Sequence, residues 1–107
     1  MDVITYAAHH GIAIDYFPMK SKGFCLMDEG QYFIAVNAAL PNSEKLDVIL
    51  HELGHILTNS VYTESESESE RLRKEYNAIK WANENRGRFF LIGKHCGADV
   101  QNKVFSD

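Results

Sequence analysis

The sequence predicts an α+β fold: a small three-stranded antiparallel sheet packed against a His-Glu-x-x-His helix and a second, glutamate-bearing helix. Three observations carry this. Three short runs rich in β-branched and aromatic residues precede position 37, each bounded by turn residues. A stretch from about 43 to 58 repeats its apolar residues with helical period. A second helical stretch, 71–85, follows an acidic gap. At 107 residues the chain makes one domain with one core, 1–107.

Met1 to His10 reads as a short helix. Val3, Ile4, Ala7 and Ala8 form a narrow apolar stripe, Asp2 suits the first turn, and Gly11 can end the helix in a left-handed conformation. His9 and His10 fall in the last turn, where positive charge is favourable, so they read as capping or surface residues. Ile12 to Phe17 is the first strand and Pro18 stops it. Phe24 to Met27 is the second, after a turn at 20–23. Gln31 to Val36 is the third, after Asp28-Glu29-Gly30. Short polar connections between them favour antiparallel hairpins.

Asn42 or Ser43 is a suitable N-cap for the next helix, with Glu44 in its first turn. Leu46, Ile49, Leu50, Leu53, Ile56 and Leu57 recur at helical spacing. At ~100° per residue, His51 and His55 leave the opposite side, about 40° apart. The helix then has one face for the sheet and one for a further element. Asp47, one turn before His51, reads as a solvated carboxylate or as an acceptor for the His51 ring.

Residues 59–70 alternate glutamate with serine over 64–70, which reads as a mobile acidic loop. Helical order resumes at Arg71. Leu72, Tyr76, Ile79, Ala82 and Asn83 share a face with Ala78 at its edge, and Glu75 projects from within it, between Leu72 and Ile79. A carboxylate on a buried stripe is costly unless it is paired or binds metal. Phe89 to Ile92 reads as a strand or helical turn packed on the core. The tail, 93–107, is ambiguous, and its adjacent His95 and Cys96 lack partners for a second metal site.

Composition excludes several classes. A net charge of −4 with no Lys/Arg-dense patch argues against direct nucleic-acid binding. No apolar run approaches the ~20 residues of a membrane span. The N-terminus has neither a basic nor a long apolar region, so no signal peptide is expected. Cys25 and Cys96 form no C-x-x-C pattern; they read as free thiols, a single disulfide being the other possibility. The expected location is cytoplasmic.

The chemistry lies in His51-Glu52-Leu53-Gly54-His55. Two imidazoles one turn apart can hold one Zn²⁺, with Glu52 as general base for a water activated there. Glu75 supplies a third ligand and leaves one position open. Such a site polarises a carbonyl and suits peptide hydrolysis. Tyr62, Tyr76 and His95 are candidate oxyanion stabilisers.

Together, residues 47–57 and Glu75-Tyr76-Asn77-Ala78-Ile79-Lys80-Trp81-Ala82 resemble the ImmA/IrrE family of metallopeptidase-like proteins. The similarity covers about residues 1–85. The second segment is similar to the family's E-x-x-A-N-x-F/W-A helix, though Ile79 stands where asparagine is frequent. The resemblance implies a zincin-like fold of the gluzincin kind, with His51, His55 and Glu75 as zinc ligands and Glu52 as base. It also implies a protein substrate, a helix-turn-helix repressor encoded nearby in a phage or mobile element. The alternatives are a non-catalytic, zinc-stabilised binding module and a toxin–antitoxin-type component that clasps its partner without cutting it.

Overall fold

The computed structural model describes residues 1–92; the tail with His95 and Cys96 lies outside the described residues. The elements run α1 (Val3–His9), β1 (Ile12–Phe17), β2 (Gly23–Asp28), β3 (Gln31–Asn37), α2 (Asn42–Leu57) and α3 (Glu68–Asn85), then a 3₁₀ turn, Arg86–Arg88. This is the expected α+β arrangement of three strands with a motif helix and a glutamate helix.

The sheet is mixed rather than wholly antiparallel. Its order is β1-β3-β2. β2 and β3 form the expected hairpin, Leu26 opposite Phe33, turning through Glu29 and Gly30, both at positive φ. β1, however, pairs in parallel with β3, Ile14 opposite Ile34. The 18–22 connection is long enough to skip one strand position of about 4.8 Å, and β3 then fills the gap. Short length therefore did not make β1 and β2 neighbours.

α1 is capped by Asp2, whose carboxylate accepts from the Thr5 amide, and it ends at Gly11 with φ +72°. His9 and His10 are exposed at its end, and the His10 Nδ1–H donates to the Tyr6 carbonyl. Phe90 runs alongside the N-terminus, exchanging backbone bonds with Met1 and Val3, and Phe89 packs against Tyr6 and Trp81.

α2 crosses the sheet. Ile49, Leu50 and Leu53 are buried with Ile12, Ile34, Val36, Val3 and Ala7 in one core. Its N-cap is Pro41, without a side-chain cap, rather than Asn42 or Ser43. Proline is fixed in the φ range that the extended N-cap requires, and Asn42 and Ser43 are thereby drawn into the first turn.

α3 starts at Glu68, before the expected Arg71. Ser67 accepts from the Glu70 amide while the Glu70 carboxylate accepts from the Ser67 amide. The end of the Ser/Glu alternation is thus a capping box, not loop. α3 is seated on only the alanine part of the expected face. Leu72, Tyr76 and Ile79 are 66, 63 and 43% exposed, whereas Ala78 and Ala82 are buried.

Candidate metal centre

The site forms where α2, β2, α3 and the 59–63 segment meet. Helical spacing puts His51 and His55 one turn apart, with ring centroids separated by 4.8 Å. α3 brings Glu75 across from them. Its Oε1 lies 2.8 Å from His51 Nε2 and its Oε2 3.3 Å from His55 Nε2. One donor atom from each of the three residues falls within a 4.8 Å cluster. Among the described residues, no other such cluster of histidine, cysteine and carboxylate donors occurs.

The helices come this close because Gly54 has no side chain at the crossing, where it faces the Ala78 backbone. α2 is therefore held between the sheet and α3, as its two-faced pattern requires. His55 is 4% exposed, His51 is more open, and Glu75 sits at the cleft surface.

The surroundings fix the tautomer of His55. Its Nδ1–H donates to the Ser60 carbonyl at 2.8 Å, while the Ser60 amide donates to the His55 carbonyl. The Ser60 hydroxyl accepts from Asn77 of α3 at 3.2 Å. A neutral His55 thus turns an unprotonated Nε2 toward a carboxylate oxygen. Two acceptors facing each other are stabilised by a cation between them. Ligand atoms about 2.0–2.1 Å from a tetrahedral zinc stand about 3.3 Å from one another. The donor types, the tautomer and the spacing of this trio fit such an ion.

Partial burial opposes ionisation of Glu75, but the Tyr62 hydroxyl bond and the two imidazoles outweigh it, and its carboxyl titrates below the usual range. The Tyr62 hydroxyl donates to Glu75 Oε2, the oxygen that faces His55. Burial and the Glu75 carboxylate push the Tyr62 phenol up to about 12, so it stays protonated and remains a donor near neutral pH. Arg71 lies over its ring, 4.9 Å from the centroid.

Residues 7–87 match the peptidase family described as IrrE N-terminal-like domain. The chain belongs to this IrrE N-terminal-like family. No curated protein and no solved structure matches it. Membership makes this a metallopeptidase-type domain, and the His-His-Glu cluster could hold a metal ion, in keeping with that family.

Within this IrrE-like domain, Glu52 lines the same cleft as His51, His55, Tyr62 and Glu75. Cys25 of β2 is also there. Burial first, and then the negative charge of the Glu52 carboxylate and its hydrogen bond with the thiol, push the Cys25 thiol up to about 12. Sequence reasoning passed over this cysteine because only the β2 register brings it to the cleft. Asp47 does not serve His51; it pairs with Arg86. Tyr76 is on the exposed side of α3, away from the cleft lining. No helix among the described residues is long and apolar enough to cross a membrane.

Proposed function

We propose that the domain is a zinc-dependent endopeptidase in which His51, His55 and Glu75 hold the metal and Glu52 is the general base. One observation carries the reading: a single carboxylate faces the Nε2 atoms of two imidazoles, one of which has its other nitrogen committed to a carbonyl. Zinc bound there supplies Lewis-acid polarisation of the scissile carbonyl and makes a neighbouring water easier to deprotonate.

Glu52 takes one proton from that water as its oxygen bonds to the carbonyl carbon. It returns the proton to the amide nitrogen as the C–N bond breaks, leaving an acid and an amine and an ionised Glu52 again. Tyr62, on the cleft wall, would stabilise negative charge growing on the carbonyl oxygen by turning its hydroxyl from Glu75 to that oxygen. The substrate we propose, on the family resemblance, is a helix-turn-helix repressor encoded beside this chain in a phage or mobile element. The chain's own negative charge agrees with action on a DNA-binding protein rather than on DNA.

The test is cleavage of the neighbouring repressor by wild type and by Glu52→Gln, with zinc content measured in both. Loss of the base should slow cleavage by roughly 10²–10⁴-fold with zinc retained. Cleavage by Glu52→Gln at the wild-type rate would remove Glu52 from the mechanism. A zinc-loaded wild type that binds the repressor and leaves it intact would place the domain among non-catalytic binding modules or toxin–antitoxin-type components.

A further inference from the structure

We infer that the concavity beside the metal centre, between β2 and the 59–63 segment, is a substrate side-chain subsite that takes a bulky, uncharged apolar residue. The inference rests on the peptidase reading above. The concavity, of about 580 Å³, includes Met27, Tyr32, Thr63 and Lys74 in its lining, and it shares Cys25, Val61 and Tyr62 with the cleft that holds His51, Glu52, His55 and Glu75. The two spaces therefore adjoin. A peptide whose scissile carbonyl lies at the cluster has its next side chain about 3.3 Å further along an extended backbone, which brings that side chain to the shared wall.

Charge decides what the concavity accepts. Among the described residues lining it, Lys74 alone is charged. Its Nζ lies 2.6 Å from Glu66 Oε2 and 2.8 Å from the Val61 carbonyl, with its side chain only 16% exposed. The Glu66 carboxylate that holds it is itself buried. An entering carboxylate would have to compete with Glu66 for a matched cation, and an entering ammonium would meet a like charge. What remains on offer beside the uncharged polar groups of Asn59 and Thr63 is uncovered apolar surface, chiefly the exposed Leu26, Met27 and Tyr62 side chains. Covering such surface is the usual basis of recognition in pockets of this size.

The same pairing predicts how selectivity can be moved. Glu66→Gln keeps the shape and leaves the Lys74 ammonium without its carboxylate, so the subsite should come to favour an acidic side chain. Met27→Ala removes apolar wall at an exposed position that the core does not use.

The experiment is calorimetric titration of the zinc-loaded full chain with N-acyl amino-acid hydroxamates bearing Gly, Phe, Asp or Lys side chains. Phe should bind at least about tenfold more tightly than Gly, and Asp and Lys no more tightly than Gly. Met27→Ala should shrink the Phe preference with Gly affinity unchanged, and Glu66→Gln should strengthen Asp binding about tenfold. Equal affinities for Gly and Phe in a zinc-loaded protein would overturn the subsite. Failure to take up zinc at all would instead bring down the peptidase reading beneath it. Should Glu66→Gln not fold, the Met27→Ala comparison decides alone.

Discussion

Gly54 of α2 lies against the backbone of Ala78 of α3: a β carbon at position 54 would stand 2.6 Å from the Ala78 carbonyl oxygen and 3.0 Å from its α carbon. His55 follows Gly54, and Glu75 precedes Ala78 by one helical turn. The contact that seals the two helices therefore also sets the distance between imidazole and carboxylate.

Gly54→Ala should destabilise the protein and weaken its metal site together. Helix propensity alone would favour alanine by about 1 kcal/mol. The clash is with backbone, which cannot rotate away, and overpacking costs typically 1–3 kcal/mol or more. A net loss of up to about 2 kcal/mol is expected in urea unfolding, with weaker zinc retention. A stabilised variant with unchanged zinc affinity would show that the helices are free to separate.

Asn77 acts on the site through Ser60, whose carbonyl receives the His55 Nδ1–H. Partners behind a metal ligand are commonly worth about 10–100-fold in affinity, and Asn77 is one bond further removed. Asn77→Ala should thus lower zinc affinity by up to about tenfold with little change in unfolding free energy. Competition against a fluorescent chelator measures it, and equal affinities would detach Asn77 from the site.

Ser67 begins α3 by a reciprocal bond with Glu70. Ser67→Ala should cost about 1 kcal/mol, within the usual range for losing an N-cap side chain. Denaturant melts should register this as a lower midpoint at constant slope; an unshifted midpoint would mean that α3 does not depend on its cap.

Acid should loosen the segment between α2 and α3. The hydrogen bond from Lys74 is the main reason the Glu66 carboxyl titrates below its ordinary 4.5. A group depressed in the folded state contributes stability that is complete above its unfolded value and lost as pH falls through its folded one. Stability should fall below about pH 4.5, and Glu66→Gln should flatten part of that decline. Parallel acid limbs for the two proteins, followed by unfolding at a series of pH values, would contradict the pairing.

Much of this arrangement was legible in the sequence where large apolar residues repeat. Ile49, Leu50 and Leu53 gave both the α2 helix and the face it buries. Glu75 was reached as well, though through a mistaken setting. Of the expected face, the large residues Leu72, Tyr76 and Ile79 point outward, and α3 is seated on Ala82 and on Ala78 at its edge. A crossing this close is made by small residues, Gly54 against Ala78, which a search for bulky periodicity underweights. Charge likewise hid the α3 start, because the glutamates that read as mutually repelling include the Glu70 of the capping box. The parallel β1–β3 pairing depends on which strand fills a vacant position, and local turn chemistry does not encode that.

We propose that Glu75 completes a metal site with His51 and His55. It is tested most directly by the zinc content and affinity of purified wild type beside Glu75→Ala. One zinc per chain in the wild type, with affinity falling by an order of magnitude or more in the variant, is the result predicted. Unchanged zinc binding in Glu75→Ala would contradict the account and direct attention to Glu68, Glu70 or His95 as the third ligand.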